Sequence, residues 1–280
     1  MRFDKRLGSI AVVAASLLAS GVVSATPAGA ARWTPLANAT IHPGVQTISG
    51  NSQCTANFVF VNGDSVLLGQ AAHCAGTGPA NETNGCTAEA LPVGLPVRIS
   101  GASRPGVLVY SSWDAMKQAR ETNVDLCRHN DFALVRIDPA DVAKVNPSVP
   151  KWGGPTGVSE RSSVGRTNLY TYGNSNLRFG LTALSPLRVV GVETTAGGRN
   201  HLVYSVTPGI PGDSGSGLLD NGGKAIGVLS TIGLTPLPLS NNYTDLRRAM
   251  AYARSHGMPN LQLVNGTKPF SYKIVKAGQR

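Results

Sequence analysis

A chain of 280 residues with 33 Gly, 18 Pro and only 14% charged residues has room for a sizeable core and too many turn formers for a mainly helical bundle. Its net charge of +10 comes from Lys and Arg scattered singly, as at Arg98, Arg104, Lys117, Arg120 and Arg136. With no basic block and no interleaved aromatic stripe, that charge describes a basic soluble surface and argues against a nucleic-acid partner.

Arg2, Lys5 and Arg6 make a positive start, Leu7 to Ala25 is almost uncharged, and Ala28-Gly29-Ala30 offers an A-x-A cleavage site. Residues 1–30 therefore read as a secretory signal peptide, which directs the protein outside the cell and leaves no membrane association after cleavage. A membrane anchor is the competing reading. Gly21, Pro27 and the scarcity of large apolar residues weigh against it, and no later stretch approaches the roughly 18 apolar residues of a spanning helix. Cleavage would leave about 250 residues, enough for one large all-β domain or two half-domains sharing an interface.

Residues 31–44 read as a short, loosely ordered lead-in or pro-segment. Phe58 to Val61 and Ser65 to Leu68, joined by Asn62-Gly63, predict a hairpin. Pro92 to Ser100, Gly106 to Tyr110 and Phe132 to Ile137 predict further strands, with a short helix over Ala115 to Glu121. Pro147 to Pro155, with its three prolines and two glycines, predicts a linker. Beyond it come strands at Asn168 to Tyr172, Leu181 to Glu193, His201 to Val206, Ser216 to Leu219 and Lys224 to Ser230. The last two are joined by Asn221-Gly222-Gly223. A late helix, capped by Asn242 with Asp245 near its positive end, carries Leu246, Met250 and Ala253 on one face and stops at Gly257 and Pro259. A small hairpin around Asn265-Gly266 would follow. Many short strands and one late helix predict a β-barrel class.

Three segments carry chemistry. Pro208-Gly209-Ile210-Pro211-Gly212-Asp213-Ser214-Gly215-Ser216-Gly217 holds a serine preceded by a glycine two residues back, which lets two backbone N–H groups face one small space. Gln70-Ala71-Ala72-His73-Cys74 gives a histidine whose neighbouring cysteine could pin the backbone; His42, His129, His201 and His256 lack such a context. Asn130-Asp131 opens the β-prone run to Ile137, where a buried aspartate could accept a histidine N–H. The even cysteine count (Cys54, Cys74, Cys86, Cys127) in an exported chain predicts two disulfides, with three pairings open. There is no C-x-x-C pair and no metal-ligand spacing, so neither a metal nor another cofactor is expected.

Together these segments resemble the chymotrypsin/trypsin family of serine proteases, most closely its secreted bacterial members. The order His73, Asp131, Ser214 is that family's order, whereas an α/β-hydrolase elbow would need glycine where Ser216 stands. The likeness in layout runs over about residues 45–255, with only the three segments specific. It implies an all-β fold of two six-stranded antiparallel β-barrels with a C-terminal α-helix. The N-terminal barrel would cover about 45–146, the linker 147–155, the second barrel and helix 156–257, and an extension 258–280. It further implies catalytic roles for His73, Asp131 and Ser214, and an oxyanion hole from the N–H groups of Gly212 and Ser214. Ser230 would lie on the strand that pairs with substrate and supports the aspartate, beside Thr231 and Ile232. A family bridge would join Cys54 to Cys74, leaving Cys86 with Cys127.

The departures are as informative. No Ile-Val-Gly-Gly sequence precedes the domain, so Asp213, which pairs with a freed N-terminal amine in animal relatives, needs another partner; an arginine would serve. The loop before Ser214 has no cysteine. Pro208 stands at the pocket-floor position where trypsin-like enzymes carry aspartate, which implies a neutral primary pocket. The expectation is a secreted, monomeric serine endopeptidase acting on polypeptides. The alternatives are a catalytically silent binding protein or adhesin on the same fold, or a narrow-specificity processing protease.

Overall fold

The computed structural model describes residues 1, 33–79, 82–161, 163–233, 238 and 240–273. The signal peptide expected over 1–30 lies outside the described residues, Met1 excepted. Within them, short β-prone runs broken by Gly and Pro give the strands β1 (Gln46–Ser49), β2 (Ser52–Thr55), β3 (Val59–Asn62), β4 (Ser65–Gln70), β5 (Pro96–Ile99), β6 (Gly106–Ser111) and β7 (Ala133–Arg136), with α1 (Ser112–Gln118) and α2 (Val124–His129) between β6 and β7. Then follow β8 (Asn168–Tyr172), β9 (Pro186–Thr195), β10 (Asn200–Tyr204), β11 (Gly217–Leu219), β12 (Ala225–Gly233), β13 (Ser240–Asp245), α3 (Leu246–Ser255) and β14 (Gln262–Leu263). None of these helices is long and apolar enough to cross a membrane.

The second half is a closed antiparallel barrel of six strands, ordered β10-β13-β12-β11-β8-β9. Its inward residues, among them Leu169, Val189, Val203, Leu218, Ile226 and Tyr243, form one apolar cluster. The first half is an antiparallel sheet of eight strands, β14-β3-β4-β7-β6-β5-β1-β2, in which β2 and β3 are two pieces of one bent strand, so that the ladder runs round six strands as expected and β14 is an addition at its edge. The bend lies at Ala56 to Phe58. Ala56 N donates to Val45 O beside β1 (2.9 Å), while Asn57 N donates to Gly69 O in β4 (2.8 Å). The chain thus bends from one ladder to the other, so β2 and β3 are consecutive pieces of one bent segment whose sheet curls around Val59, Leu68, Val97, Leu108 and Val135.

A third cluster joins the halves. Phe58, Phe60, Phe132, Trp152, Tyr170 and Met250 are buried there, with the Phe60 and Phe132 rings edge to face at 5.6 Å. Gly217 permits this approach, since a Cβ on it would lie 2.4 Å from the Phe58 ring.

Several expectations are corrected. The lead-in is ordered from Trp33: Thr34 N donates to Val145 O (3.1 Å), and Ile41 is fully buried and bridged to Val145. Helix α2 was not expected; Asn123 caps it by accepting from Leu126 N (2.9 Å). The strand expected from Leu181 begins at Pro186, because Asn176–Arg178 and Thr182–Leu184 are 3₁₀ turns. Asn242 lies inside β13 and does not cap α3. Asp245 does, accepting from Arg248 N (2.8 Å). The expected hairpin at Asn265-Gly266 is absent. Instead β14 adds to β3, with Gln262 opposite Val61, and Gly266 N donates to Pro155 O (2.8 Å).

The C-terminal segment is therefore a strap across both halves. Leu261 is fully buried in the joining cluster and Phe270 packs edge to face on Tyr170. Leu261→Ala should cost about 3 kcal/mol of unfolding free energy, the typical loss for a buried leucine. Urea denaturation with an unchanged m-value would show it.

Candidate active site

The end of β4 runs into Ala72–Ala75, a single 3₁₀ turn whose Cys74 is disulfide-bonded to Cys54 at the end of β2. This turn carries His73. Its backbone N–H donates to Asp131 Oδ1 (2.9 Å), and its Nδ1 lies 2.6 Å from Asp131 Oδ2. Asp131 sits between the end of α2 and the start of β7, and Cys86–Cys127 ties α2 to the loop between the Ala72–Ala75 turn and β5. The carboxylate also accepts from Ser230 Oγ (2.6 Å), and the Asp131 N–H donates to Thr244 Oγ1 (3.2 Å). A residue of the first half is thus held by two side chains of the second. Sequence reasoning did not find Thr244; its spacing carries no signal.

Burial disfavours the charged forms of both His73 and Asp131, but each is the other's counter-charge and hydrogen-bond partner. The balance raises the His73 pKa above the usual 6.5 and lowers that of Asp131 below the usual 3.8.

Ser214 reaches this corner through its backbone. Thr55 N donates to Ser214 O (2.8 Å), and Thr55 follows Cys54, which is bridged to the neighbour of His73. Asn57 Nδ2 donates to Gly215 O (3.0 Å), and a Cβ on Gly215 would lie 2.9 Å from Ala71 N. Among the described residues no hydrogen bond joins the Ser214 hydroxyl to His73; such contacts are often long without substrate. The N–H groups of Gly212 and Ser214 likewise have no protein acceptor among the described residues. Gly212 adopts φ +95°, which only glycine takes without strain.

Asp213 is fully buried, and its partner is Arg178. Arg178 Nη2 pairs with Asp213 Oδ2 and Nε with Oδ1, while Ser175 N and Ile210 N each donate to the carboxylate at 3.0 Å. The expectation of an arginine could not be placed from sequence, because Arg178 is 35 residues away in a turn with no motif.

The expected pocket residues are more dispersed. Pro208 is half-buried and precedes Gly209, which Asn241 clamps: Gly209 N donates to Asn241 Oδ1 (2.8 Å) and Asn241 Nδ2 to Gly209 O (3.2 Å). Ser230 and Thr231 line a cavity of about 630 Å³ with Arg128 and His129 of α2 and Asn242 and Thr244 of β13. Burial, opposed by Asp125 and aided by Arg128 and Arg199, lowers the His129 pKa. Ile232 is exposed. Cys54, Cys74 and His73 cluster closely, but both sulfurs are spent in the disulfide, so the group does not suit a metal.

The backbone as a whole has the chymotrypsin-type serine protease fold, an antiparallel barrel beside a second antiparallel sheet with few helices. The solved structure of protease A from Thermobifida fusca is similar, with 18% identity and a TM-score of 0.51 over 81% of this chain and 99% of that one. A glutamic acid specific serine protease that uses a histidine triad in substrate binding is similar at 17% identity and a TM-score of 0.50, over 80% of this chain and all 100% of that one. A Glu endopeptidase matches at 13% identity and a TM-score of 0.51, over 80% and 95% of the two chains. No family model matches the chain, and no curated protein does.

Replacing Arg178 by Met would leave the Asp213 carboxylate buried without its counter-charge. The expected loss is about 3–5 kcal/mol of stability. It should be measured by denaturant titration, and Arg178→Lys should recover part of it.

Proposed function

We propose that this chain is a serine endopeptidase, exported from the cell, that hydrolyses polypeptides through an acyl-enzyme on Ser214. The observation that carries the reading is the pair of buried Asp131 and half-buried His73, set beside a loop whose Gly212 and Ser214 N–H groups have no protein acceptor among the described residues. Asp131 holds Nδ1 of His73 as the donor, which leaves Nε2 free to act as the base. Nε2 takes the proton of Ser214 Oγ as that oxygen attacks the scissile carbonyl. The negative charge that develops on the carbonyl oxygen is met by the N–H groups of Gly212 and Ser214. The protonated His73 then gives its proton to the departing amine. Water, deprotonated by the same nitrogen, hydrolyses the ester and restores Ser214.

The primary pocket of this reading lies between the segment at Pro208 and the strand Ser230, Thr231 and Ile232. No carboxylate stands at Pro208, so a neutral substrate side chain is favoured over Lys or Arg. Extended substrate would pair with the edge of β12 beyond Leu229, where β11 no longer covers it.

A fluorophosphonate probe should label the protein once, and Ser214→Ala should abolish the labelling. Folded protein that neither labels nor cleaves any member of a diverse peptide library would overturn the reading in favour of a silent binding protein; cleavage of one narrow motif would identify a processing enzyme. The rate should also depend on pH with a definite sign. Neutral His73 is the active form and its pKa is raised, so kcat/KM should fall with decreasing pH through a midpoint above 6.5. Asp131→Asn should lower kcat by about 10⁴-fold.

A further inference from the structure

Backbone donors serve an oxyanion only while their peptide planes keep one orientation. A half-turn of the Pro211–Gly212 peptide would replace the Gly212 N–H by the Pro211 carbonyl. A glycine at φ +95° adds no side-chain bulk to resist such a turn. The hydrogen bonds around this loop form a clamp from both halves of the molecule. Ser175 Oγ donates to Pro211 O at 2.5 Å, on the peptide that carries the Gly212 N–H. Thr55 Oγ1 (2.8 Å) and Gln53 Nε2 (3.0 Å) both donate to Gly212 O, on the next peptide, whose N–H is held by Ile210 O (2.8 Å).

The clamp is itself braced. Asn174 N donates to Thr55 Oγ1 (3.0 Å), Asn176 N to Gln53 Oε1 (3.0 Å) and Leu177 N to Ser175 Oγ (3.0 Å). Residues 174–177 are therefore stitched to β2 on one side and to Pro211 O and the Asp213 carboxylate on the other. Gln53 is also in the way of any side chain at Gly212, because a Cβ there would lie 2.4 Å from its Oε1.

We infer that Ser175, Thr55 and Gln53 are positioning residues for the oxyanion site, holding both peptides flanking Gly212 with their carbonyls turned away from substrate. The inference rests on the protease reading for its kinetic consequence and on geometry alone for its structural one. None of the three touches the reacting atoms. Their loss should weaken transition-state stabilisation while leaving ground-state binding intact.

The test compares Ser175→Ala, Thr55→Val and Gln53→Met with wild type and with Thr55→Ser, which keeps the hydroxyl. In folded variants kcat should fall about 10- to 100-fold, less than the loss of a whole oxyanion donor. KM should stay within about twofold, and Thr55→Ser should retain most of the rate. Inhibition by a peptide aldehyde, which forms an oxyanion on binding, should weaken in parallel, while a non-covalent product peptide should bind as before. Unchanged kcat, or a rise in KM alone, would overturn the inference. A second measurement does not need activity. The crystal structure of the Ser175→Ala/Thr55→Val double variant should show the Pro211–Gly212 peptide reversed or in two orientations. An unaltered peptide would overturn the inference by itself, whereas an inert wild type would count against the protease reading and leave this structural outcome decisive.

Discussion

A carboxylate buried where two halves of a protein meet must be satisfied by both of them, and Asp131 is that group. It is 4% exposed and accepts hydrogen bonds from the backbone and ring of His73 in the first half and from Ser230 in the second. An uncompensated charge at such depth would cost several kcal/mol. The two halves can therefore pack as they do only with these donors in place, and the aromatic cluster of Phe58, Phe60 and Phe132 supplies the apolar contact that closes the joint. The position of His73 follows from the same bonds. Its ring is oriented by Asp131 and its backbone by the Cys54–Cys74 bridge.

A second buried carboxylate plays the matching part for the loop at Ser214. Asp213 is held by Arg178 and by the N–H groups of Ser175 and Ile210, all internal to the fold. The turn from Ser175 to Arg178 thereby serves two neighbouring residues at once: its arginine neutralises Asp213 and its serine fixes the carbonyl before Gly212. Through Thr55 and Gln53 the same turn is tied to β2, the strand that ends one residue past Cys54. Both corners of the site are thus linked to one strand, so a shift of β2 would be felt at His73 and at Gly212 together.

Much of this was legible in the sequence where a residue needs a particular neighbour in the chain. The contexts of His73, Asp131 and Ser214 are local, and the hairpin at Asn62-Gly63 and the strand at Asn168–Tyr172 follow from turn chemistry and β-branched or aromatic alternation. What stayed hidden depends on partners distant in sequence. Arg178, Thr244, Asn241, Gln53 and Ser175 look like ordinary surface or strand residues until the fold brings them to Asp213, Asp131, Gly209 and Gly212. Asn242 was expected to cap α3, but Asp245 does so. The ladder of β13 against β12 and β10 holds Asn242 inside a strand that runs on to Asp245. The apparent hairpin at Asn265-Gly266 failed for the same kind of reason, because the open edge of β3 offered Gln262 and Leu263 ready-made partners.

Under the proposed mechanism, the shifted pKa values of His73 and Asp131 pull stability and activity apart. The lowered pKa of Asp131 makes its contribution to stability fully present above the unfolded value near 3.8 and lost as pH falls through the folded one. The raised pKa of His73 makes its contribution fully present below 6.5 and lost as pH rises through its own folded value. The ion pair is accordingly strongest between those limits, with His73 protonated. The proposed mechanism needs the opposite state, a neutral His73, and that state exists only at higher pH where the attraction between two full charges is gone. What keeps the ring in register there is the hydrogen bond that the Nδ1–H of the neutral ring donates to the Asp131 carboxylate, together with Ser230 on the same carboxylate oxygen. The aspartate therefore has to be supported by neutral donors as well as by its histidine. This gives a physical reason for a hydroxyl from the second half to reach across to a carboxylate in the first.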